Sequence, residues 1–197
     1  MVILHLFLMR ANLSVYVSKP DVSLLDSARQ MNTEALIKIF DLYSRPLFNY
    51  ALRLCSDPIL ADGIVGDVFA KLIEQLSRGY GPTANLRSYL YEMAYHIVVD
   101  DSRFYQREVS LDGIDAFRYD NSSLYMIFEN RLLFEKVMAA IRKDLTKDQR
   151  HVIILRFLEG FNLRETAAII GKDTNNVKVI QNRALVALRK ALEIVVI

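Results

Sequence analysis

Asn175, Val179 and Asn182 recur at steps of four and three in the stretch FNLRETAAIIGKDTNNVKVIQNRALVALRKAL. At 100° per residue that spacing gathers them on one side of an α-helix. Lys178, Arg183, Arg189 and Lys190 flank them. Amide and ammonium groups in such an array suit purine edges in a major groove, at roughly 1–3 kcal/mol of discrimination per good bidentate contact, and the basic side chains suit phosphates. The chemistry is recognition, and the partner it fits is duplex DNA.

Groups for catalysis do not converge in the same way. His5, His96 and His151 fall in separate elements without metal-ligand spacing. Asp62, Asp67, Asp100 and Asp101 are helical carboxylates with no companion base, nucleophile or phosphate-cradling glycine loop. Cys55 is the single cysteine and sits on an apolar helical face, which predicts a buried, inert thiol and excludes an internal disulfide framework. These features point away from an enzyme, a metal or a cofactor.

The elements that position the polar face are legible around it. Asn162 caps a helix starting at Leu163, and Glu165 reaches back three residues to complete a capping box. Ala167 is small enough for a second helix to cross closely, and Gly171 supplies the positive φ that ends the first. Asp173 or Thr174 caps the second helix, whose Val177, Ile180, Ala184, Leu188 and Leu192 form a buried stripe, with Gln181 near that side. Leu163 to Leu192 therefore reads as a helix-turn-helix. An amphipathic hairpin with a solvated charged face is the plainer alternative, but cap, alanine, glycine and valine fall at offsets that agree with one another.

Charge follows the same division. The net +2 combines 16 Lys/Arg against 18 Asp/Glu in residues 1–144 with 9 against 5 in residues 145–197, so the basic excess lies with the helix-turn-helix, as attraction to phosphate requires. Seven glycines, four prolines and no run of β-alternation favour an all-α chain.

Upstream, residues 1–31 show no helical period and read as an extension. Their apolar run MVILHLFLM has about nine residues, short of the roughly 20 that span a bilayer, and lacks a basic leader or small-residue cleavage site. A packed or disordered extension, or an over-long start ahead of Met9 or Met31, fits it better than a signal peptide. Thr33 to Cys55 carries the stripe Leu36, Phe40, Tyr43, Leu47, Tyr50 and Leu54, with a kink or break expected near Arg45 because Pro46 follows. Asp57-Pro58 opens a helix with Ala61, Val65, Val68, Leu72 and Leu76 inward; Gly79 to Pro82 stops it. Asn85 caps the next, with Leu86, Leu90, Met93, Ala94 and Ile97 inward.

Regularity is lost from residue 108, and helix resumes near Leu124 to Arg142 and from a Thr146/Gln149 capping box through Leu158. The organisation predicted is an extension (1–31), a helical bundle (32–107), a flexible linker (108–127) and a four-helix module (128–197) ending in the helix-turn-helix. About fourteen linker residues, fully extended, reach roughly 45–50 Å, enough for the modules to occupy separated sites.

Two stretches, about 33–107 and 128–192, together resemble the extracytoplasmic-function sigma factors, small two-domain subunits that direct RNA polymerase to promoters. LTKDQRHVIILRFLEGFNLRETAAIIGKDTNNVKVIQNRALVALRKAL resembles sigma domain 4, including Arg150, Leu155, Glu165-Thr166-Ala167, Val177-Lys178 and Arg183-Ala184. LADGIVGDVFAKLIEQ followed by NLRSYLYEMAYHIVVDDSR resembles sigma domain 2. There the chain departs from the pattern: Gly63 replaces an Asp and Gly66 a Gln in the polymerase-contacting helix, although Asp62 and Asp67 keep acids. Tyr89 stands for the usual Trp and His96 for the usual Asn, while Asp100 and Arg103 match.

The resemblance implies two small helical domains joined by a flexible linker, in a cytoplasmic protein without a membrane partner. It implies minus-35 contacts from Arg164, Thr174, Asn175, Lys178, Val179, Asn182 and Arg183, and minus-10 contacts from Asn85, Arg87, Tyr89, His96 and Arg103. Asp62, Val65, Asp67 and Phe69 would bind polymerase. The implied partners are promoter DNA, the beta' clamp region and beta flap of core polymerase, and an anti-sigma protein. The residues speak to parts of this themselves. Tyr89, Tyr91, Tyr95, Phe104 and Tyr105 interleave with Arg87, Arg103 and Arg107, offering stacking worth on the order of 1–3 kcal/mol per base of a melted strand; the alternative is that the tyrosines line a helical core with hydroxyls at its rim. Two interior glycines cost about 1 kcal/mol each relative to alanine, and a helix crossing closely over Gly63 and Gly66 would compensate. Those glycines also support the competing reading of a helix-turn-helix regulator that binds DNA without docking on core polymerase. A protein-interaction module with a vestigial helix-turn-helix is the third, and the retained basic face argues against it.

Overall fold

The computed structural model describes residues 22–100 and 124–192. The first stretch folds as α1 (Val22–Arg29), α2 (Thr33–Cys55), α3 (Pro58–Ser77) and α4 (Leu86–Asp100). The second folds as α5 (Leu124–Asp144), α6 (Lys147–Ile153) running into a π-helical turn (Ile154–Leu158), α7 (Leu163–Ile169) and α8 (Thr174–Ala191). Both stretches are all-α. Most of the linker lies outside the described residues, as do Met1–Met9, His5, Asp101, Arg103, Phe104, Tyr105 and Arg107.

Local signals set most helix ends. Asp57 Oδ1 accepts the Ile59 and Leu60 N–H groups with Pro58 at the first helical position. Thr146 with Gln149 and Asn162 with Glu165 form capping boxes at α6 and α7. Asn32, which no sequence pattern singled out, caps α2 through Ala35 N–H. Asn85 behaves differently. It takes φ 53, not the extended backbone of a capping residue, so α4 starts on a left-handed turn.

Several expectations give way to tertiary packing. Residues 22–29, expected within an extension without period, form α1, which buries Leu25 and Ala28 against α2 and α3. α2 runs unbroken through Pro46. A mid-helix proline costs about 3 kcal/mol, and the complete burial of Tyr43, Leu47 and Tyr50 around it, each large apolar side chain contributing roughly 1.5–3 kcal/mol, offsets that. Phe40, placed inward by its spacing, is 47% exposed and sets its ring against Phe69 at 4.8 Å. Among the described residues no helix crosses Gly63 or Gly66: an added Cβ at either would meet nothing within 4 Å. The persistence of α3 rests on its other side, where Ala61, Ile64, Val65, Val68, Phe69, Leu72 and Leu76 are buried.

Within this structure the two modules share one continuous apolar core. α4 packs on α7, and α2 touches the π turn.

Candidate nucleic-acid interface

The helix-turn-helix is built from its caps inward. The Asn162 side chain accepts the Glu165 N–H at 3.0 Å, and Glu165 accepts the Asn162 N–H at 2.7 Å. At the other end of α7, Lys172 N–H donates to the Ala167 carbonyl and Gly171 N–H to that of Ala168, with Gly171 at φ 63. This is the paired closure that a left-handed glycine permits. Asp173, one of the two candidates, then caps α8 by accepting from the Asn175 and Asn176 N–H groups. Ala167 and Val177 are buried where α7 and α8 cross, and Ala184 and Leu188 continue the buried side.

The opposite side of α8 is the candidate surface. Asn175, Lys178, Val179, Asn182, Arg183, Arg189 and Lys190 are exposed, Thr174 is half-buried, and Arg164 is exposed on the first turn of α7. Gln181 faces inward, as expected, and accepts from Arg156 Nε at 3.1 Å. Arg156 also donates to the Phe161 carbonyl, so one half-buried guanidinium ties the π turn, the loop before α7 and the underside of α8 together. Burial lowers its pKa, and Glu165 opposes that shift. Lys172 pairs with Asp148 at 3.2 Å and fixes the turn to α6. Arg156 from beneath and the Lys172–Asp148 pair at the turn thus hold the face in place.

The first module presents a more divided picture. Asn85 and His96 are exposed, and Tyr89 is half-buried with its hydroxyl donating to Gln75 at 3.0 Å. Tyr91 and Tyr95 are core residues; the stacking role does not extend to them. Asp62 and Asp67 face water, whereas Val65 and Phe69 are buried within the module. Their side chains are therefore not an outward contact surface in this arrangement. Arg87 is engaged already. It donates to the Glu159 carbonyl, and its guanidinium lies 3.9 Å from the Phe161 ring centroid.

No motif or spacing in the sequence marks Glu159, the residue that links the modules. Its carboxylate, 5% exposed, pairs with Arg53 and accepts the Tyr91 hydroxyl at 2.6 Å. Nearby, the buried Tyr50 hydroxyl lies 2.8 Å from His151 Nδ1. Among the described residues, no three of His, Cys, Asp and Glu come together as metal ligands, and no helix is long and apolar enough to cross a membrane.

Residues 143–190 match the family model described as Sigma-70, region 4. The carboxy-terminal module is similar to a sigma-70 region 4. The resemblance to extracytoplasmic-function (ECF) sigma factors runs across most of the chain. It is 24% identical over 174 residues to the ECF RNA polymerase sigma factor BldN of Streptomyces coelicolor, covering 87% of this chain and 65% of that one. It is 24% identical over 163 residues to the ECF RNA polymerase sigma factor SigX of Bacillus subtilis, covering 79% of this chain and 82% of the relative. The chain thus spans just under two thirds of BldN. Among solved structures, the fold is similar to that of CnrH in complex with the cytosolic domain of CnrY, with a TM-score of 0.66 at 22% identity over 88% of this chain and 97% of that one. It is also similar to the sigma factor RpoE in complex with the anti-sigma factor NepR from Bartonella quintana, with a TM-score of 0.58 at 23% identity over 80% of this chain and 96% of the other.

Proposed function

We propose that this chain is a non-catalytic promoter-specificity subunit of RNA polymerase of the ECF type. In this reading α8 enters the major groove of the minus-35 element. Asn175, Lys178 and Asn182 meet base edges, Val179 lies against them, and Arg164, Thr174 and Arg183 reach the backbone. The first module docks on core polymerase through the side of α3 that carries Asp62 and Asp67, and its α4 region holds the melted minus-10 strand through Asn85, Tyr89 and His96 on the outer side and Arg87 on the other. Arg103 continues that set by its place in the sequence. Two weak modules on one tether gain effective concentration only at promoters whose spacing both can reach.

The observation that carries the reading is the outward polar and basic side of α8, presented by a capped helix-turn-helix whose sequence matches a sigma-70 region 4. The relatives add support for partners: one solved relative is complexed with an anti-sigma factor and another with the cytosolic domain of CnrY. A protein of the anti-sigma class is accordingly proposed as a third partner, beside core polymerase and promoter DNA.

The experiment mixes the purified chain with core polymerase, follows co-elution, and then measures transcription from a defined promoter. Co-elution with promoter-directed initiation is the expected result. Duplex binding without any association with core would replace the reading with that of a free-standing helix-turn-helix regulator.

A further inference from the structure

The outer side of α3 carries an apolar seam that the packing of the described residues leaves uncovered. Ile59, Gly63, Gly66, Ala70 and Ile73 follow one another at steps of four, three, four and three. At 100° per residue, that spacing keeps all five within a sector of about 80° and spreads them over about 21 Å of helix. All five are exposed, Ile59 at 84% and Ile73 at 43%. From α2, Ile37 and Phe40 are 55% and 47% exposed, and the Phe40 ring meets that of Phe69, one turn from Ile73. Single apolar side chains at a surface need no explanation, but an apolar face shared by two packed helices marks an interaction surface.

The order of residues along the seam selects the partner. Ile59 and Ile73 lie seven residues to either side of Gly66. A second α3, laid antiparallel on the first about a two-fold axis through Gly66, sets each Ile59 against the Ile73 of the other copy and brings the two glycines together at the crossing. Small residues then oppose small ones where the backbones approach, and large apolar ones oppose each other at both ends. That is the self-complementarity an isologous contact requires. Gly63 and Gly66 present no Cβ and have nothing within 4 Å of where one would stand, which lets a second helix come close. Charge permits the arrangement. Each Asp62 lies four residues from the axis, so the two carboxylates are about 12 Å apart along it, beyond the screening length of about 8 Å at physiological salt. On the other flank the two Asp67 side chains stand across the axis, each with Lys71 one turn further along its own helix.

We propose that α3 is the contact helix of a homodimer: two copies of this chain pack antiparallel through Ile59, Gly63, Gly66, Ala70 and Ile73, with Ile37 and Phe40 at the margin. The dimer itself does not depend on the promoter-specificity reading. Its consequence does, because that reading docks the same side of α3 on core polymerase. Dimer and docked subunit then exclude each other, and the dimer is a store from which polymerase draws single chains.

The test measures the mass of the full chain by size-exclusion chromatography with light scattering over a concentration series. A concentration-dependent dimer is expected. Ile59→Glu and Ile73→Lys put charges on the seam with the signs that suit their ends of the helix, and circular dichroism checks that both variants remain folded. Each substitution enters a symmetric dimer twice, so each should raise the dissociation constant at least about tenfold. An equimolar mixture of the two should recover a dimer, because one end contact then pairs Glu with Lys and the other keeps both isoleucines. Gly66→Cys should link two copies under mild oxidation, since residues on the axis come within the roughly 7 Å between Cα atoms that a disulfide spans; the buried Cys55 does not compete. A full chain that stays monomeric throughout the series overturns the dimer, whether the face is left to core polymerase or covered by the run Val2 to Met9. A dimer that neither isoleucine variant weakens overturns α3 as its contact, and variants that weaken without recovery on mixing overturn the antiparallel register. Two copies retained together on core polymerase overturn the exclusion. A dimer that forms no complex with added core polymerase would strike the promoter-specificity reading and leave the dimer standing.

Discussion

Tyr50 and His151, 101 positions apart in the chain, meet in a buried hydrogen bond of 2.8 Å that joins α2 to α6. His151 is completely enclosed, with the edge of Tyr95 packed on its ring at a centroid distance of 4.8 Å. Burial first, and the Arg150 charge second, lower its pKa from 6.5 to about 3. The imidazole is therefore neutral in the folded chain at any pH near neutrality.

A pH dependence follows, and its sign is fixed by linkage. The folded pKa lies below the unfolded one, so the unfolded chain binds the extra proton. The stability this contributes is complete above pH 6.5 and erodes as pH falls toward 3. The slope approaches about 1.4 kcal/mol per pH unit for one proton. Urea titrations between pH 7 and pH 5 should show that slope, and His151→Gln should flatten it. An equal slope in the variant would assign the effect to other groups.

The glycines of α3 yield a stabilising prediction. Gly63 and Gly66 are helical, exposed and unobstructed, so alanine brings its propensity without a clash. Gly63→Ala and Gly66→Ala should each stabilise the chain by about 1 kcal/mol, with the double variant near the sum. Thermal unfolding measures it. Destabilisation at either position would show that another part of the folded chain closes over that side of α3.

For the proposed DNA surface, Lys178→Ala and Arg183→Ala should lower duplex affinity. The log–log dependence of affinity on salt should fall by about one unit for each phosphate that is no longer neutralised. Duplex titrations at several salt concentrations report both quantities. Slopes unchanged in both variants would remove α8 from the phosphate backbone.

Asn162 is a cap and not a contact residue. Asn162→Ala should cost about 1 kcal/mol of stability while leaving the salt slope for DNA unaltered. Denaturant midpoints and the same titrations separate the two effects.

What the sequence made legible was whatever a few neighbouring residues determine. The Asn162–Glu165 and Thr146–Gln149 boxes, the Asp57-Pro58 start and the Gly171 stop each depend on groups within four positions, and the exposed side of α8 follows from its buried one. Val65 fell inward with Ala61, Val68 and Leu72 as its spacing required; its assignment to a polymerase contact came from the resemblance alone. What stayed illegible depends on distant partners. Glu159 finds Arg53 at a separation of 106 residues and Tyr91 at 68, and no local pattern distinguishes it from a solvated loop acid. Pro46 and Phe40 show the same limit from the other side. A local rule expected a break and an inward ring, and the packing of α2 against its neighbours decided otherwise.

Cys55, the chain's single cysteine, is 3% exposed, and burial pushes its thiol up to about 11. A sulfur so enclosed and so little ionised at neutral pH reacts slowly with maleimides. Cysteines introduced on the surface of α3 and on the outer side of α8 would then accept a donor and acceptor dye without first removing the native one. The distance across the folded chain becomes measurable, one molecule at a time, in an otherwise unaltered protein.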